Sequence, residues 1–123
     1  MTQNSELIRD YVEQIWNLGN TDLADRYVAE DLAQHNPNLA DGRKPLCEFV
    51  DGFRRDLPEA RFEIRRLAAD GDLVFTHCLF TAAPDHRGVA VVDIYRVVDG
   101  RIVEHWDVKE DVPEATASGR DIV

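Results

Sequence analysis

The sequence predicts an α+β domain, with helices first and a meander of strands folded around them. Two periods carry that expectation. In the first half apolar residues recur every three to four positions, whereas from Ala60 onwards they alternate at every second one. Length is the third observation. The 123 residues read as one domain spanning 1–123, and folding at this size buries roughly two-thirds of the unfolded surface, enough for a core and a small pocket.

The elements follow in order. Leu7, Ile8, Tyr11, Val12, Ile15 and Trp16 fall at helical spacing, with Asn4 or Ser5 as a cap and Gly19 as a stop. A short second helix is expected from about Thr21, whose hydroxyl suits an N-cap, with Leu23, Tyr27 and Val28 on one side. Residues 35–42 are dense in turn formers and read as a loop. A third helix begins near Pro45, aligns Leu46, Phe49, Val50 and Phe53, and stops at Pro58. Ala60, Phe62 and Ile64 then alternate with Arg61, Glu63 and Arg65, as in a strand with one wet face. Further strands are expected over 73–81, 89–98 and 101 to about 112, joined by Asp70-Gly71, the loop 84–88 and Asp99-Gly100. Residues 113–123 carry no period and are expected to wrap the surface or fray. The two central strands are apolar on both faces, so the outer side of the sheet needs a cover, of which a homodimer partner is the simplest.

Charge and motifs exclude several functions. Twenty-four acidic against fourteen basic residues give a net charge of −10, a field that repels phosphate backbones and anionic headgroups. Neither nucleic acid nor a membrane is an expected partner. No apolar run is long enough for a membrane-spanning helix, and the start Met-Thr-Gln-Asn-Ser-Glu has no basic-then-apolar leader pattern. Two cysteines, Cys47 and Cys78, make no disulfide scaffold, which suits a reducing cytoplasm. There is no GxGxxG, phosphate loop or CxxC, so no cofactor is expected.

Polar residues in apolar surroundings mark the candidate site. Asp93 sits in the run Val89–Val98, sharing a face with Val91 and Tyr95, and a buried carboxylate is costly without a partner or a proton. His105 and Asp107 lie two apart and share a face, with Glu104 and Trp106 on the other. A two-residue turn at Asp99-Gly100 would set Asp93 opposite Trp106. A three-residue turn with a bulge at Gly100 would set it opposite His105, with Asp107 diagonal. We favour the bulged turn, because it gathers the three polar side chains. His77 shares a strand face with Leu73, Phe75 and Leu79, while Cys78 points the other way, so the two cannot pair as nucleophile and base. His35 stands at a helix-to-loop junction of the kind that lines cavity mouths. His86, in a polar loop, reads as solvated.

Gln34-His35-Asn36-Pro37, Asp41-Gly42, Phe75-Thr76-His77 and above all the run from Val92 to Asp107, with Glu104-His105-Trp106-Asp107 in it, resemble the SnoaL-like proteins. These belong to the cone-shaped α+β superfamily named after nuclear transport factor 2. The resemblance implies three helices closing the concave side of a curved, mostly antiparallel sheet, commonly as a dimer. The family's best-understood members are polyketide cyclases that close a ring by intramolecular aldol condensation without metal or cofactor. By motif match, the aspartate that serves them as base and then acid is Asp107. A strand residue at the position of Asp93 and a polar group from the loop, here His35, complete the implied site. Where those cyclases carry a histidine, this chain has Asp93.

The chemistry is compatible with that assignment. Taking a proton from carbon beside a carbonyl needs a base in an apolar pocket, and the enolate then needs donors, which imidazoles at His35, His77 or His105 can supply. Close together, Asp93 and Asp107 cannot both ionise easily, so one holds a proton. Each residue also has a plainer reading. Asp107 could pair with Lys109 or Arg101, Asp93 could position His105 or Arg96, His35 could cap its loop, and His77 could be a satisfied core histidine. Trp16, Phe53, Phe75 and Tyr95 are the aromatic candidates for a pocket wall, although regularly spaced aromatics are more often core or dimer contact. His105, Asp107, His77 and His35 would also suffice for zinc or iron, but no strong ligand spacing supports a metal. The expected function is a proton-shuttling cyclase, isomerase or dehydratase acting on a small carbonyl compound. Its rivals are a pocket that binds an apolar ligand without catalysis and a dimeric interaction module with a filled interior.

Overall fold

The computed structural model describes residues 3–123. Helix α1 (Gln3–Tyr11) runs on through Val12–Asn17 as a wider π turn. In the described residues α1 starts at Gln3, so Asn4 and Ser5 lie within it and do not cap it. Asn17 closes the π turn and staples it to the sheet. Its Nδ2 donates to the Phe62 carbonyl at 2.9 Å and its Oδ1 accepts the Phe62 N–H at 2.8 Å. Gly19 ends the segment at φ +72°, a left-handed conformation that disfavours any other residue.

The second helical segment is one stretch of 3₁₀ helix, Thr21–Arg26. Thr21 makes no cap; its hydroxyl donates to Asp51 Oδ1 at 2.7 Å on the next helix. Val28, expected on this helix, instead opens strand β1 (Val28–Gln34), which the sequence reading did not contain. The reason is visible in the burial: Val28 and Leu32 are buried four residues apart with exposed Glu30 and Asp31 between them. That spacing imitates a helix, because an irregularity between Val28 and Ala33 breaks the alternation. Helix α2 (Arg43–Asp56) starts two residues before Pro45. Arg54 then ties down the link after it, donating to the Pro58 and Ala60 carbonyls at 2.7 and 2.6 Å.

Strands β2 (Arg61–Asp70), β3 (Leu73–Thr81), β4 (Val89–Val98) and β5 (Arg101–Asp111) form the expected meander. The sheet order is β1-β5-β4-β3-β2, with β1 parallel to β5 and every other pair antiparallel. It is an open five-stranded mixed sheet, against whose inward face the helices pack. Ile8, Ile15, Val28, Leu32, Val50, Val74 and Ile102 fill the shared core, each contributing roughly 1.5–3 kcal/mol by its burial. Residues 113–123 run along the surface; Val123 is buried, and its carbonyl accepts from Arg65 at 3.3 Å.

The β4–β5 turn corrects one expectation. Val98 pairs with Arg101, and Asp99 and Gly100 both have positive φ (51° and 75°), the signature of a two-residue type I′ turn. The favoured bulge at Gly100 is absent. A bulge does occur, but inside β5: Val97 pairs with Ile102 and Arg96 with Glu104, so Val103 is the extra residue. The register beyond it sets Asp93 directly opposite Asp107 and Tyr95 opposite His105. The three polar side chains therefore gather as expected, by a different device.

Candidate active site

Alternation along the strands sorts the polar residues onto two faces. Asp93, His105 and Asp107 face inward, into a cavity of about 260 Å³ that also reaches Gln34, Asn36, Tyr11 and Tyr95. The interior is thus not packed solid. At the far end Trp16, Phe49, Phe53, Phe62 and Phe80 form an aromatic wall, with Trp16 ring centroids 5.6–6.0 Å from those of Phe49, Phe53 and Phe62. Edge and tilted ring pairs of this kind add about 0.5–1.5 kcal/mol each. Trp16, Phe53 and Tyr95 thus line the cavity, whereas Phe75 does not: it sits on the outer face, opposite Ile94.

The polar end is a hydrogen-bonded cluster. Gln34 Oε1 accepts the Asn36 N–H at 3.1 Å, which fixes this oxygen as an acceptor, and it lies 2.7 Å from His105 Nδ1. Nδ1 must therefore carry a hydrogen. On the other side of the ring, Nε2 lies 2.8 Å from Asp93 Oδ1. A carboxylate oxygen and a bare ring nitrogen would both be acceptors, so one proton lies between them, borne by the imidazole or by the acid. Asn36 is oriented in the same way: its Oδ1 accepts the Asn38 N–H at 2.8 Å, and its Nδ2 donates to Asp107 Oδ2 at 2.7 Å. Asp107 Oδ2 stands 3.9 Å from His105 Nε2. The arrangement sets a carboxylate acceptor beside a held proton in a mostly apolar cavity. Two like charges directly across a strand pair would repel, and the shared proton relieves that.

His35 and His77 fall elsewhere. His35 lies on the outer face of the sheet, its Nε2 2.8 Å from Glu104 Oε2 and its ring stacked on Trp106 at 4.8 Å. Its hydrogen bond, with that of Arg96, holds the Glu104 carboxyl below its ordinary range. The loop's polar group in the cavity is the neighbour, Asn36. His77 also faces outward, its Nδ1 2.9 Å from Arg66 Nη1. Sequence reasoning missed Gln34 and Asn36 because β1 was unrecognised. Had the strand been extended through residue 36, alternation would have put both on the face opposite His35.

Other groups bound the chemistry. Cys78 lines the cavity, but burial pushes its thiol up to about 11, so it is no thiolate nucleophile near neutrality. Burial likewise raises the Tyr95 phenol well above its usual range. The facing atoms of Asp93, His105 and Asp107 lie within 4.8 Å of one another and are the one set among the described residues able to hold a metal ion. His35 and His77, which the sequence offered as further ligands, are turned away from it. No helix of the described residues is long and apolar enough to cross a membrane.

The SnoaL-like polyketide cyclase family model matches residues 6–116. Among the curated proteins, none matches the chain in sequence. Solved structures share the fold. A candidate polyketide cyclase from Acidithiobacillus ferrooxidans is 22% identical with a TM-score of 0.74, the match covering 89% of each chain. One from Bacillus cereus is 24% identical with a TM-score of 0.75, over 87% of this chain and 74% of that one. IdmH, a candidate polyketide cyclase from Streptomyces antibioticus, is 24% identical with a TM-score of 0.72, over 89% of this chain and 93% of its own.

Proposed function

Because the chain belongs to the SnoaL-like polyketide cyclase family, we propose that it is a cofactor-independent acid/base enzyme acting on a small carbonyl compound, as an aldol cyclase or an isomerase/dehydratase. The observation that carries this reading is the Asp107 carboxyl, oriented by Asn36, 3.9 Å from His105 Nε2, which itself lies 2.8 Å from Asp93 Oδ1. Asp107 removes a proton from the carbon next to a carbonyl, and the electron pair passes into that carbonyl as an enolate. In a cyclase, the enolate carbon attacks a second carbonyl of the same molecule. A carbon–carbon bond forms, the π pair moves to oxygen, and that oxygen takes the His105–Asp93 proton. The proton on Asp107 then restores the pair, so the cycle is proton-neutral. In an isomerase Asp107 returns its proton at a different carbon. Asn36 positions Asp107 and Gln34 positions His105; His35 and His77 have no step in this scheme. General-base catalysis of this kind is worth about 10²–10⁴-fold.

The test is deuterium uptake from heavy water into an enolisable two-ring ketone, 2-tetralone, followed by proton NMR. The protein should accelerate exchange beside the carbonyl, and Asp107→Asn should lose that acceleration while keeping its affinity. Equal exchange with and without protein would leave a pocket that binds without catalysis.

A homodimer is part of the same proposal. The outer sheet face carries Phe75, Ile94 and Val108, the last 67% exposed, and a second copy is the cover that suits it. The free thiols of Cys47 and Cys78 suit a reducing cytoplasm.

A further inference from the structure

Between the aromatic wall and the acid/base end lies a phenol that the scheme above does not use. Tyr11 on α1 lines the cavity and is only 4% exposed. Its Oη accepts a hydrogen bond from Trp16 Nε1 at 2.9 Å, and among the described residues no group accepts its own hydrogen. Tyr27 differs: its hydroxyl donates to Asp10 Oδ2 at 2.5 Å. The Tyr11 ring meets Tyr95 edge-on at 5.9 Å, and the Tyr95 ring lies 5.2 Å from that of His105. The hydroxyl is therefore two rings away from the acid/base pair and one hydrogen bond away from the aromatic wall. A buried hydroxyl whose hydrogen finds no acceptor is costly, and the expected remedy is an acceptor on whatever fills the cavity.

We infer that Tyr11 donates its phenolic hydrogen to an oxygen of the bound substrate. The inference rests on the reading of this cavity as the substrate site and narrows its ligand class. The ligand is a one- or two-ring, mainly apolar molecule with a carbonyl or ether oxygen facing α1, since about 260 Å³ lies below the roughly 300 Å³ where drug-sized pockets begin. The bond from Trp16 polarises the phenol and makes it a stronger donor. Burial holds the hydroxyl protonated well above its ordinary range, so it remains a donor throughout the neutral region.

The test is calorimetric titration with a matched pair, 2-tetralone and its hydrocarbon counterpart tetralin. The natural protein should bind the ketone about tenfold more tightly, and Tyr11→Phe should erase that preference while leaving tetralin affinity unchanged. A merely structural tyrosine would lower thermal stability and leave the preference intact. Trp16→Phe, which removes the donor to Tyr11, should reduce the preference about threefold and serves if Tyr11→Phe does not fold. A preference that survives Tyr11→Phe, or its absence from the natural protein, overturns the inference. Affinity is read without turnover, so the two proposals fail separately. Tyr11-dependent binding without Asp107-dependent exchange removes only the acid/base scheme, and the converse removes only the role of Tyr11.

Discussion

Strand β5 presents the same residue types to two different worlds. On its outer side Glu104 meets His35 and Arg96; on its inner side Asp107 and His105 meet Asn36, Gln34 and Asp93. Each side is an acid with an imidazole at hydrogen-bond distance. Outside, Glu104 is shared between two partners, Arg96 Nη1 also donates to both carboxylate oxygens of Asp72, and water screens the whole group. Inside, the Gln34 and Asn36 amides orient His105 and Asp107, and the cavity is mostly apolar. The difference teaches that the residue types do not make the site. Orientation by Gln34 and Asn36, which themselves come from alternate positions of one short segment, does.

The largest expected effect is on the inner acid. Asp107→Asn should lower deuterium exchange into 2-tetralone by about 10²–10⁴-fold, whereas Glu104→Gln on the outer side should leave it within about twofold. Next comes the core that supports the inner face. Ile15→Ala, at a fully buried position, should cost roughly 2–5 kcal/mol in urea unfolding. Val108→Ala, on the exposed side, should stay within about 0.5 kcal/mol in the monomer, while Val108→Asp should shift a sedimenting dimer to monomer.

Smaller effects concern pH. The Cys78 thiol is raised in the folded state, so its contribution to stability is complete below its unfolded value of 9.0 and falls as pH rises toward about 11. Cys78→Ala should flatten that alkaline slope in thermal unfolding, and the natural protein should resist thiol alkylation at Cys78 at pH 8. Glu104 behaves oppositely. Its carboxyl is lowered on folding, so its contribution is present above its ordinary value of 4.5 and is lost as pH falls below it. Glu104→Gln should remove a shallow acid slope in thermal unfolding.

Much of this was legible in the sequence, for reasons that also explain the gaps. The switch from a period of 3.6 to a period of 2 located α2 and four strands, because each buries one continuous face. Asp93, His105 and Asp107 stood out because carboxylates are expensive in apolar strands. Strand β1 was hidden by its irregular pairing, and with it went the alternation that sends His35 outward and Asn36 inward. The bulge at Val103 was illegible too: nothing in Ile102-Val103-Glu104 departs from an ordinary strand, and only the need to seat Asp93 opposite Asp107 reveals it.

The central claim is that the inner face holds a proton between His105 and Asp93, beside the Asp107 carboxyl that accepts from Asn36. Nitrogen-15 NMR of the His105 ring at neutral pH tests it most directly. The account predicts a hydrogen on Nδ1, held by Gln34 Oε1, and an Nε2 signal that changes in Asp93→Asn. A ring with bare Nδ1, or one indifferent to Asp93→Asn, would contradict it.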